Sequence, residues 1–276
     1  MEKLWKVFLG GKPKSAGKST FALTAPGKKL VLQYDLGDTT APPGVDPATI
    51  WVRKYDAAIL NPSFDKEGHL TSDKWQRPSN VGEAIIKDLY ILRQAFLRGE
   101  PEFQLTDGKM YPRPDTIILD GMTEMPLILV DWILAVNKLR DADEFIGDSG
   151  KVNKYKLWQK RIDVMRPLLH SVIQLPCNVV LIAWEIAEMK DDRLTGQTVP
   201  DIGGKLDNMI PGKVDAALRC FARYENSSVR YMVQAVPDGL REWVGVRGKY
   251  GMKNEIDVTI HPGKVEKLPW DRVLGE

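Results

Sequence analysis

Cysteine and histidine are scarce in this chain of 276 residues, which has two cysteines, Cys177 and Cys220, and three histidines. Two thiols so far apart in the sequence do not make a disulfide framework, and they favour a reducing compartment. The usual zinc-binding spacings of cysteine and histidine are absent as well. We therefore expect neither a disulfide-rich secreted fold nor a zinc site.

Net charge is small and long hydrophobic runs are absent. Lysine and arginine number 39 against 37 acidic residues, a formal net charge of +2, so any basic surface must come from local clustering. The apolar opening is interrupted by Glu2, Lys3 and Lys6, and no later run approaches the roughly 18 residues of a membrane-spanning helix. We expect a globular, cytoplasmic protein without a membrane partner.

Short apolar runs alternate with amphipathic stretches through the first two thirds of the chain. Strands are predicted at 4–9, 30–34, 116–120 and 178–184, with a weaker one at 49–55, and helices at 17–26, 81–98, 123–139 and 154–174. We interpret 36–80 as a loop-rich excursion and 186–213 as a loop, and residues from 214 onward predict antiparallel strands with a turn at "PDG". This order predicts a single α/β domain over 1–276, a three-layer sandwich with a mostly parallel central sheet and antiparallel C-terminal strands.

The stretch "KPKSAGKSTF", residues 12–21, lies between the first strand and the first helix. A phosphate-binding loop needs flexible backbone, a lysine for the outer phosphates, and a serine or threonine for magnesium, all in front of a helix. Gly17, Lys18 and Ser19 supply these parts, and the alternative is a basic turn. The first glycine of the Walker A pattern falls on Lys12, whereas the nearest glycine is Gly11, so the loop is one residue longer than usual. The predicted nucleotide-binding residues are Gly11, Lys14, Ser15, Ala16, Gly17, Lys18, Ser19 and Thr20.

A buried strand that ends in an acid should complete such a site, and "TIILD" ends in Asp120. We expect Asp120 to hold magnesium together with Ser19, the Walker B role. Gly121 follows Asp120, so a general base must come from elsewhere in the chain. Asp35, after the second strand, is the first candidate, with Asp38 and Glu124 behind it. A solvated turn carboxylate is the alternative for each of them.

These motifs, together with "LDGMTEM", "LPCNVVLIAWE" and "PDIGGKLDNMIPGKVDAAL", resemble the phage RecA-like nucleotide-binding proteins. Those are AAA-type P-loop ATPases that include Sak-type single-strand annealing proteins, and the resemblance covers roughly residues 4–250. It implies a RecA-like ATPase core that uses ATP and magnesium and assembles into a homo-oligomeric ring or filament. It also implies that the protein binds single-stranded DNA in phage recombination or replication, with a single-strand binding protein as a further partner, in the cytoplasm of an infected bacterium.

The resemblance also assigns roles by position. Lys18 would contact the β and γ phosphates, Ser19 the magnesium ion, and Asp120 the water shell of that ion. Thr123 and Glu124 would lie beside them. We therefore expect catalysis to use Lys18 together with a general base, either Asp35 or Glu124.

Two positions depart from the family pattern. Where the family has a polar sensor at the end of the last core strand, this chain has Trp184 followed by Glu185. Near the C-terminus the family has a Lys-x-Arg pair that reaches a neighbouring subunit's nucleotide, and here Arg247 and Lys249 stand in the opposite order. If both side chains lie on the same face of one strand, they could contact the nucleotide of a neighbouring subunit and take part in catalysis there. The alternative is a basic edge strand that discourages aggregation.

A DNA surface is predicted in the last third of the chain. Residues 186–210 carry three basic against five acidic side chains, a poor match for a phosphate backbone, whereas residues 211–253 carry eight against four. Four aromatic residues there are available to stack on bases: Tyr224, Tyr231, Trp243 and Tyr250. The alternative is that these rings only pack within the sheet.

Two other functions remain open at this stage. A nucleotide or small-molecule kinase would need a lid with several arginines, and the one candidate lid, 186–210, contains Arg193 alone. The other function is that of an interaction protein that binds nucleotide but hydrolyses little of it. The lack of an acid directly after Asp120 and the tryptophan at position 184 are consistent with weak hydrolysis. Turnover that DNA stimulates would exclude this last function.

Overall fold

A computed structural model describes residues 3–13, 16–35, 37–55, 79–139, 154–190, 193–225, 228–248, 252–261, 263 and 267–275. Its strands are β1 Lys6–Gly10, β2 Lys29–Gln33, β3 Ile50–Lys54, β4 Glu102–Gln104, β5 Met110–Pro112, β6 Thr116–Asp120, β7 Asn178–Ile182, β8 Glu185–Lys190, β9 Arg193–Pro200, β10 Ala216–Glu225, β11 Ser228–Gln234, β12 Gly245–Val246 and β13 Glu255–Asp257. Its helices are α1 Lys18–Leu23, α2 Ser79–Arg98, α3 Met125–Val136, α4 Lys154–Ile173, α5 Leu206–Met209 and α6 Pro269–Val273.

Nine strands form the central sheet, in the order β13-β11-β10-β1-β7-β6-β2-β3, with β12 also paired to β10. The six strands from β10 to β3 are parallel, whereas β11, β12 and β13 are antiparallel to their neighbours. The carboxyl ends of all six parallel strands therefore meet at one edge of the sheet, which we call the carboxyl edge. The opposite side is the amino edge.

The parallel strands are apolar throughout because both faces of the sheet are covered. Successive side chains point to opposite faces, so Phe8 and Leu181 pack with α2, α3 and α4, whereas Val7 and Val180 pack with α1 and α6. Helices on both faces of a mostly parallel sheet make three layers. The predicted fold class, α/β with antiparallel C-terminal strands, is confirmed.

The long helices agree with the apolar periodicity of the sequence. Helix α2 begins two residues before the predicted start and ends at Arg98 as expected, and α4 ends one residue early. Helix α3 is shorter than predicted at both ends. Strand β3 confirms the weaker prediction at 49–55. Residues 56–78, most of the predicted excursion, lie outside the described residues.

One prediction about a connection is wrong, and two further strand pairings were not predicted. The predicted loop at 186–213 contains the hairpin β8–β9, whose bulge lies between Ala187 and Met189, followed by α5. The connection after α2 contains the hairpin β4–β5. Strand β10 is not part of a purely antiparallel tail, because it pairs parallel to β1. Its residues Ala216 and Leu218 are buried on one face of the sheet and Ala217 is buried on the other, which suits a strand inside the sheet.

Both cysteines are buried and unpaired with one another. Burial raises the pKa of each thiol to about 12. Among the helices that the structure describes, none combines the length and the apolar character that crossing a bilayer requires.

Candidate nucleotide-binding site

The predicted phosphate loop follows β1 at the carboxyl edge, where its backbone fits tightly against β10. Gly11 has φ +153°, and a Cβ atom built there would lie 2.2 Å from the carbonyl oxygen of Cys220. No side chain fits in that space without a shift of backbone. Gly11 thus does the work of the first glycine of the pattern, and this accounts for the extra residue in the loop.

Lys18 opens α1, and its ammonium points back into the loop. The Nζ atom donates to the carbonyl oxygens of Lys12, at 2.7 Å, and Gly11, at 3.1 Å. Burial lowers the pKa of Lys18, and attraction to carboxylates that include Asp120 and Asp35 opposes this effect. The Lys18 ammonium is therefore hydrogen-bonded to two neutral acceptors and is also attracted by nearby carboxylates. A phosphate oxygen in the loop would be a stronger acceptor than either carbonyl.

Ser19 joins the loop to the end of β6. Its hydroxyl Oγ donates to Oδ2 of Asp120 at 2.7 Å, although β7 separates the strands β1 and β6 in the sheet. Asp120 is 7% exposed, and burial raises its pKa to about 6, while the bond from Ser19 opposes the shift. A hydroxyl and a carboxylate side by side are hard oxygen donors of the kind that Mg²⁺ prefers. The donor set of this site fits magnesium.

Asp35 is the one of three candidate bases that lies beside this pair. A Cβ atom built on Gly121 would lie 3.0 Å from the backbone nitrogen of Asp35, so the two segments touch. The Oδ1 atom of Asp35 accepts from Gln33 Nε2 at 3.0 Å and from the Gly37 backbone at 3.1 Å. Two donors on one oxygen fix the orientation of the carboxylate and leave its second oxygen for another proton donor.

The other two candidates face elsewhere. Asp38 has a 90% exposed side chain and pairs with Lys54 on β3 at 2.8 Å. Glu124 precedes α3 and is half-buried, and its charge contributes to the raised pKa of Asp201, after desolvation of that carboxyl. Glu124 therefore lies close enough to Asp201 for the two charges to interact.

The end of β7 connects both halves of the site. The backbone N–H of Trp184 donates to Thr123 Oγ1 at 2.9 Å, and the N–H of Glu185 donates to the Gly11 carbonyl at 3.1 Å. The Glu185 carboxylate accepts two bonds of 2.7 Å from Arg219, a buried bidentate pair. The position predicted to carry a polar sensor thus holds an ion pair one residue later. Sequence reasoning missed this pair, because nothing in either local segment indicates the other.

Tyr231 packs against the phosphate loop rather than lying free for DNA. Its ring carbon Cδ1 is 3.0 Å from the position of a Cβ atom on Gly17, and the side chain is 38% exposed. Trp243 also packs inward, with its ring edge-on to Phe8 at 5.7 Å between centroids. Tyr224 is 77% exposed, and Tyr250 lies outside the described residues. Among the described members of this set, Tyr224 is the most exposed.

The structure does not bring Arg247 to the phosphate loop. Its backbone N–H donates to the carbonyl of Asp215 at the amino edge, and its guanidinium donates to the carbonyl of Gly212. Strand β12 ends before it, and Gly248 has φ +74°, so Arg247 itself lies outside the strand. Lys249 lies outside the described residues, as do Lys14 and Ser15, while Ala16 is buried in the loop and Thr20 is exposed on α1.

The basic C-terminal stretch is largely neutralised within the fold. Arg219 pairs with Glu185, Arg241 with Asp238, and two further arginines pair with carboxylates around β11 and β13. Those two are Arg223, which contacts Glu225 and Glu255, and Arg230, which contacts Glu225 and Asp257. The excess of positive charge counted from the sequence is therefore not an equally basic surface.

Comparisons with known proteins agree with a nucleotide-binding fold. The family described as AAA domain matches residues 3–240. Among solved structures, a KaiC-like protein from the hyperthermophilic archaeon Pyrococcus horikoshii OT3 is 12% identical, with 94% of this chain and 87% of that chain covered at a TM-score of 0.42. The flagellar accessory protein FlaH from Methanocaldococcus jannaschii is 9% identical, with 94% and 86% covered at a TM-score of 0.44. No curated protein sequence matches. Since the family match spans most of the chain and includes the phosphate loop, β6 and β7, the protein belongs to the AAA domain family.

Proposed function

We propose that this protein binds ATP with Mg²⁺, hydrolyses it, and acts with further copies of itself on single-stranded DNA in phage recombination or replication. The observation that carries the enzymatic part is the contact between Ser19 and Asp120 beside the Lys18 ammonium. Lys18 and Ser19 lie at the start of α1, which follows β1, and Asp120 ends β6, a strand that is not adjacent to β1. A bound Mg²⁺ would supply charge neutralisation at the phosphates.

Each residue then has a definite task. Lys18 would exchange its two carbonyl acceptors for phosphate oxygens, and Ser19 would turn its hydroxyl oxygen toward the metal. Asp120 would hold the water shell of that metal as a carboxylate. Asp35 is our choice of general base, because it touches Gly121 and has one carboxylate oxygen free of the two described donors. It would orient the attacking water and accept its proton.

Tyr231 is placed to contact the base end of the nucleotide. Asp120 and Asp35 lie on the β6–β2 side of the loop, so the terminal phosphate would face that side. The ribose and base would then extend the other way, toward β10 and β11, where the half-exposed Tyr231 ring lies against Gly17. An aromatic face beside the phosphates suits a stacked base. We therefore reassign Tyr231 from DNA stacking to nucleotide binding.

Assembly would explain where Arg247 acts. Arg247 is exposed at the amino edge, about 16 Å along the sheet from the loop after β1, at roughly 3.3 Å per residue. It cannot reach the nucleotide of its own chain. A role in catalysis would require a ring or filament in which Arg247 meets the site of a neighbouring copy.

The DNA role is supported by the resemblance of "LDGMTEM" and "PDIGGKLDNMIPGKVDAAL" and by the exposed ring of Tyr224 near the end of β10. A single-strand binding protein and the cytoplasm of an infected bacterium belong to the same proposal. The kinase alternative gains no support, because Arg193 is the one arginine among the described residues of the hairpin β8–β9.

The test measures ATP hydrolysis by the purified protein with and without single-stranded DNA, together with oligomer mass. We expect magnesium-dependent turnover that DNA stimulates and that Lys18→Ala abolishes. A mixture of Lys18→Ala and Arg247→Ala, each inactive alone, should recover part of the turnover if sites are shared between copies. Nucleotide binding without turnover, and without a response to DNA, would instead identify a nucleotide-dependent interaction protein.

A further inference from the structure

A cavity of about 310 Å³ opens at the amino edge, between the second half of α4 and the segment that follows α5. It is lined by Arg166, His170, Ile173, Met209, Ile210 and Lys213. Helix α4 runs from here toward the first residue of β7, so the cavity lies at the end of the sheet opposite the phosphate loop. Its volume is at the lower end of the range for ligand pockets, about 300–1,000 Å³. It would hold one side chain of a partner, not a large ligand.

The floor of this cavity is aliphatic. Ile210 is 2% exposed and Ile173 is 9% exposed, and both belong to the core cluster that packs under α2, α3 and α4. Met209 is partly buried against the same cluster, and its flexible thioether adapts to different apolar shapes. An apolar group placed here would extend the existing core.

The rim is cationic, and its charges are not neutralised by the fold. Arg166, His170 and Lys213 are all exposed, and neither Arg166 nor Lys213 makes an ion pair with any residue in the part of the chain that the structure describes. The ring of His170 contacts Gln174 at 2.9 Å. Positive charge around an apolar floor is complementary to a ligand that combines an apolar group with carboxylates.

Nearby carboxylates have other partners. Asp163, one turn before Arg166, accepts from Gln159 at 2.8 Å. Asp207, on α5, accepts from the backbones of Ile202 and Gly203. Asp215 accepts from the Lys6 backbone at 2.9 Å. These contacts turn each acid toward its own segment, so the rim cations are left for a ligand from outside.

We propose that this cavity binds an acidic peptide segment of a partner protein, with an apolar side chain on the aliphatic floor and carboxylates on Arg166, His170 and Lys213. Single-stranded nucleic acid fits less well, because its usual sites combine a groove of positive charge along the backbone with aromatic rings under the bases. Here none of the described residues that line the cavity is aromatic. Capture of a C-terminal carboxylate with its apolar side chain is the closest general mode.

The site would work alongside nucleotide turnover. Phosphate loop and cavity lie at opposite edges of the sheet, so a peptide at one edge leaves the other edge accessible. This inference does not depend on the DNA role, and its test does not require ATP.

The test measures fluorescence anisotropy of a labelled peptide that has an aspartate-rich stretch and a C-terminal phenylalanine, added to the full chain. We expect saturable binding that weakens with salt and that Arg166→Glu reduces by about tenfold or more. Lys109→Glu carries the same charge change in the β4–β5 turn, and it should bind as the unmodified protein does. Lys213→Glu should act as Arg166→Glu does, although Lys213 neighbours Gly212, whose carbonyl holds Arg247.

The floor is tested separately from the rim. Met209→Ser should weaken binding of the phenylalanine peptide and leave unchanged the weaker binding of a matched peptide that ends in serine. A circular dichroism spectrum and a urea titration that match those of the unmodified protein confirm that each variant is folded. Failure of the acidic peptide to bind, or equal binding by Arg166→Glu, would overturn the proposal. A third outcome would also overturn it: a thymidine oligonucleotide binds, its binding depends on Arg166 and Met209, and the peptide does not compete with it. The cavity would then be a nucleic-acid site.

Discussion

The two edges of the central sheet treat their charged residues differently. At the carboxyl edge, Lys18 is held by loop carbonyls, Ser19 by Asp120, and Glu185 by Arg219, so the polar side chains already hold one another in place. At the amino edge, Arg166 and Lys213 surround an aliphatic cavity without an ion pair among the described residues. In the first arrangement charged groups are buried, which is unfavourable, but their side chains are already oriented before a ligand binds. Such preorganisation is what catalysis requires. The second leaves its charges solvated until a partner brings the opposite sign.

The largest effect should come from breaking the buried pair at the carboxyl edge. Arg219→Ala leaves the Glu185 carboxylate buried without its two donors, which should lower the free energy of unfolding by about 3–5 kcal/mol in urea titrations. Arg219→Met combined with Glu185→Leu should recover most of this loss. For comparison, Lys87→Ala breaks the exposed pair with Glu83 and should cost about 0.5 kcal/mol or less. Equal costs for the two pairs would show that burial does not strengthen the pair of Arg219 and Glu185.

Gly11→Ala should have the next largest effect, because its Cβ atom would meet the Cys220 carbonyl. We expect a loss of about 3 kcal/mol in stability and loss of ATP binding, measured by urea titration and by calorimetry. Gly239→Ala is the matched control, since nothing lies within 4 Å of its added methyl group. If Gly11→Ala bound ATP normally, the loop would not depend on its contact with β10.

A smaller effect is expected at Tyr231. Tyr231→Ala should weaken ATP binding by about tenfold while binding of inorganic tripolyphosphate stays the same, because only the base would lose its stacking partner. Tyr231→Phe keeps the ring and should bind ATP as the unmodified protein does. Equal loss of both ligands in Tyr231→Ala would show that the ring only supports the loop.

The smallest effect is expected for alkylation of the two thiols, Cys220 toward the carboxyl edge and Cys177 at the amino edge. Both thiols have a pKa raised to about 12 by burial, so at pH 8 the thiolate fraction is about 1 in 10,000 and alkylation of the folded protein should be slow. The thiolate forms as pH rises toward 12, so the alkylation rate should increase with pH over that range. ATP should slow alkylation of Cys220, which backs Gly11, more than that of Cys177, as measured by mass spectrometry of the labelled peptides. Equal protection would mean that ATP stabilises both edges together.

Local patterns were sufficient to predict the long helices, the apolar strands and the candidate binding side chains. The 3.6-residue periodicity of α2 and α4, and the continuous apolar runs of β6 and β7, are properties of single segments. Lys18, Ser19 and Asp120 could be found because phosphate and magnesium require those residue types at a loop and at a strand end. The structure places all three together.

Pairings between distant segments could not be predicted in the same way. The hairpin β8–β9 was missed because its strands are polar, and its Gly196 and Pro200 are typical of a loop. The parallel pairing of β10 with β1 depends on which sheet position is left open, not on the sequence of β10. The contact of Tyr231 with Gly17 and the pair of Glu185 with Arg219 also join segments far apart in the chain.

Strand β7 acts as a spacer in the nucleotide site. It separates β1 from β6, so the carboxyl ends of these two strands are two strand spacings apart, about 10 Å. The loop after β1 and the start of α1 bring Ser19 across to Asp120. Lys18, Ser19, Asp35 and Asp120 all belong to the first 120 residues, yet the strand that lies between β1 and β6 is Asn178–Ile182. During synthesis these four residues therefore leave the ribosome well before β7, and we expect the nascent chain to bind nucleotide only after β7 has been inserted between β1 and β6.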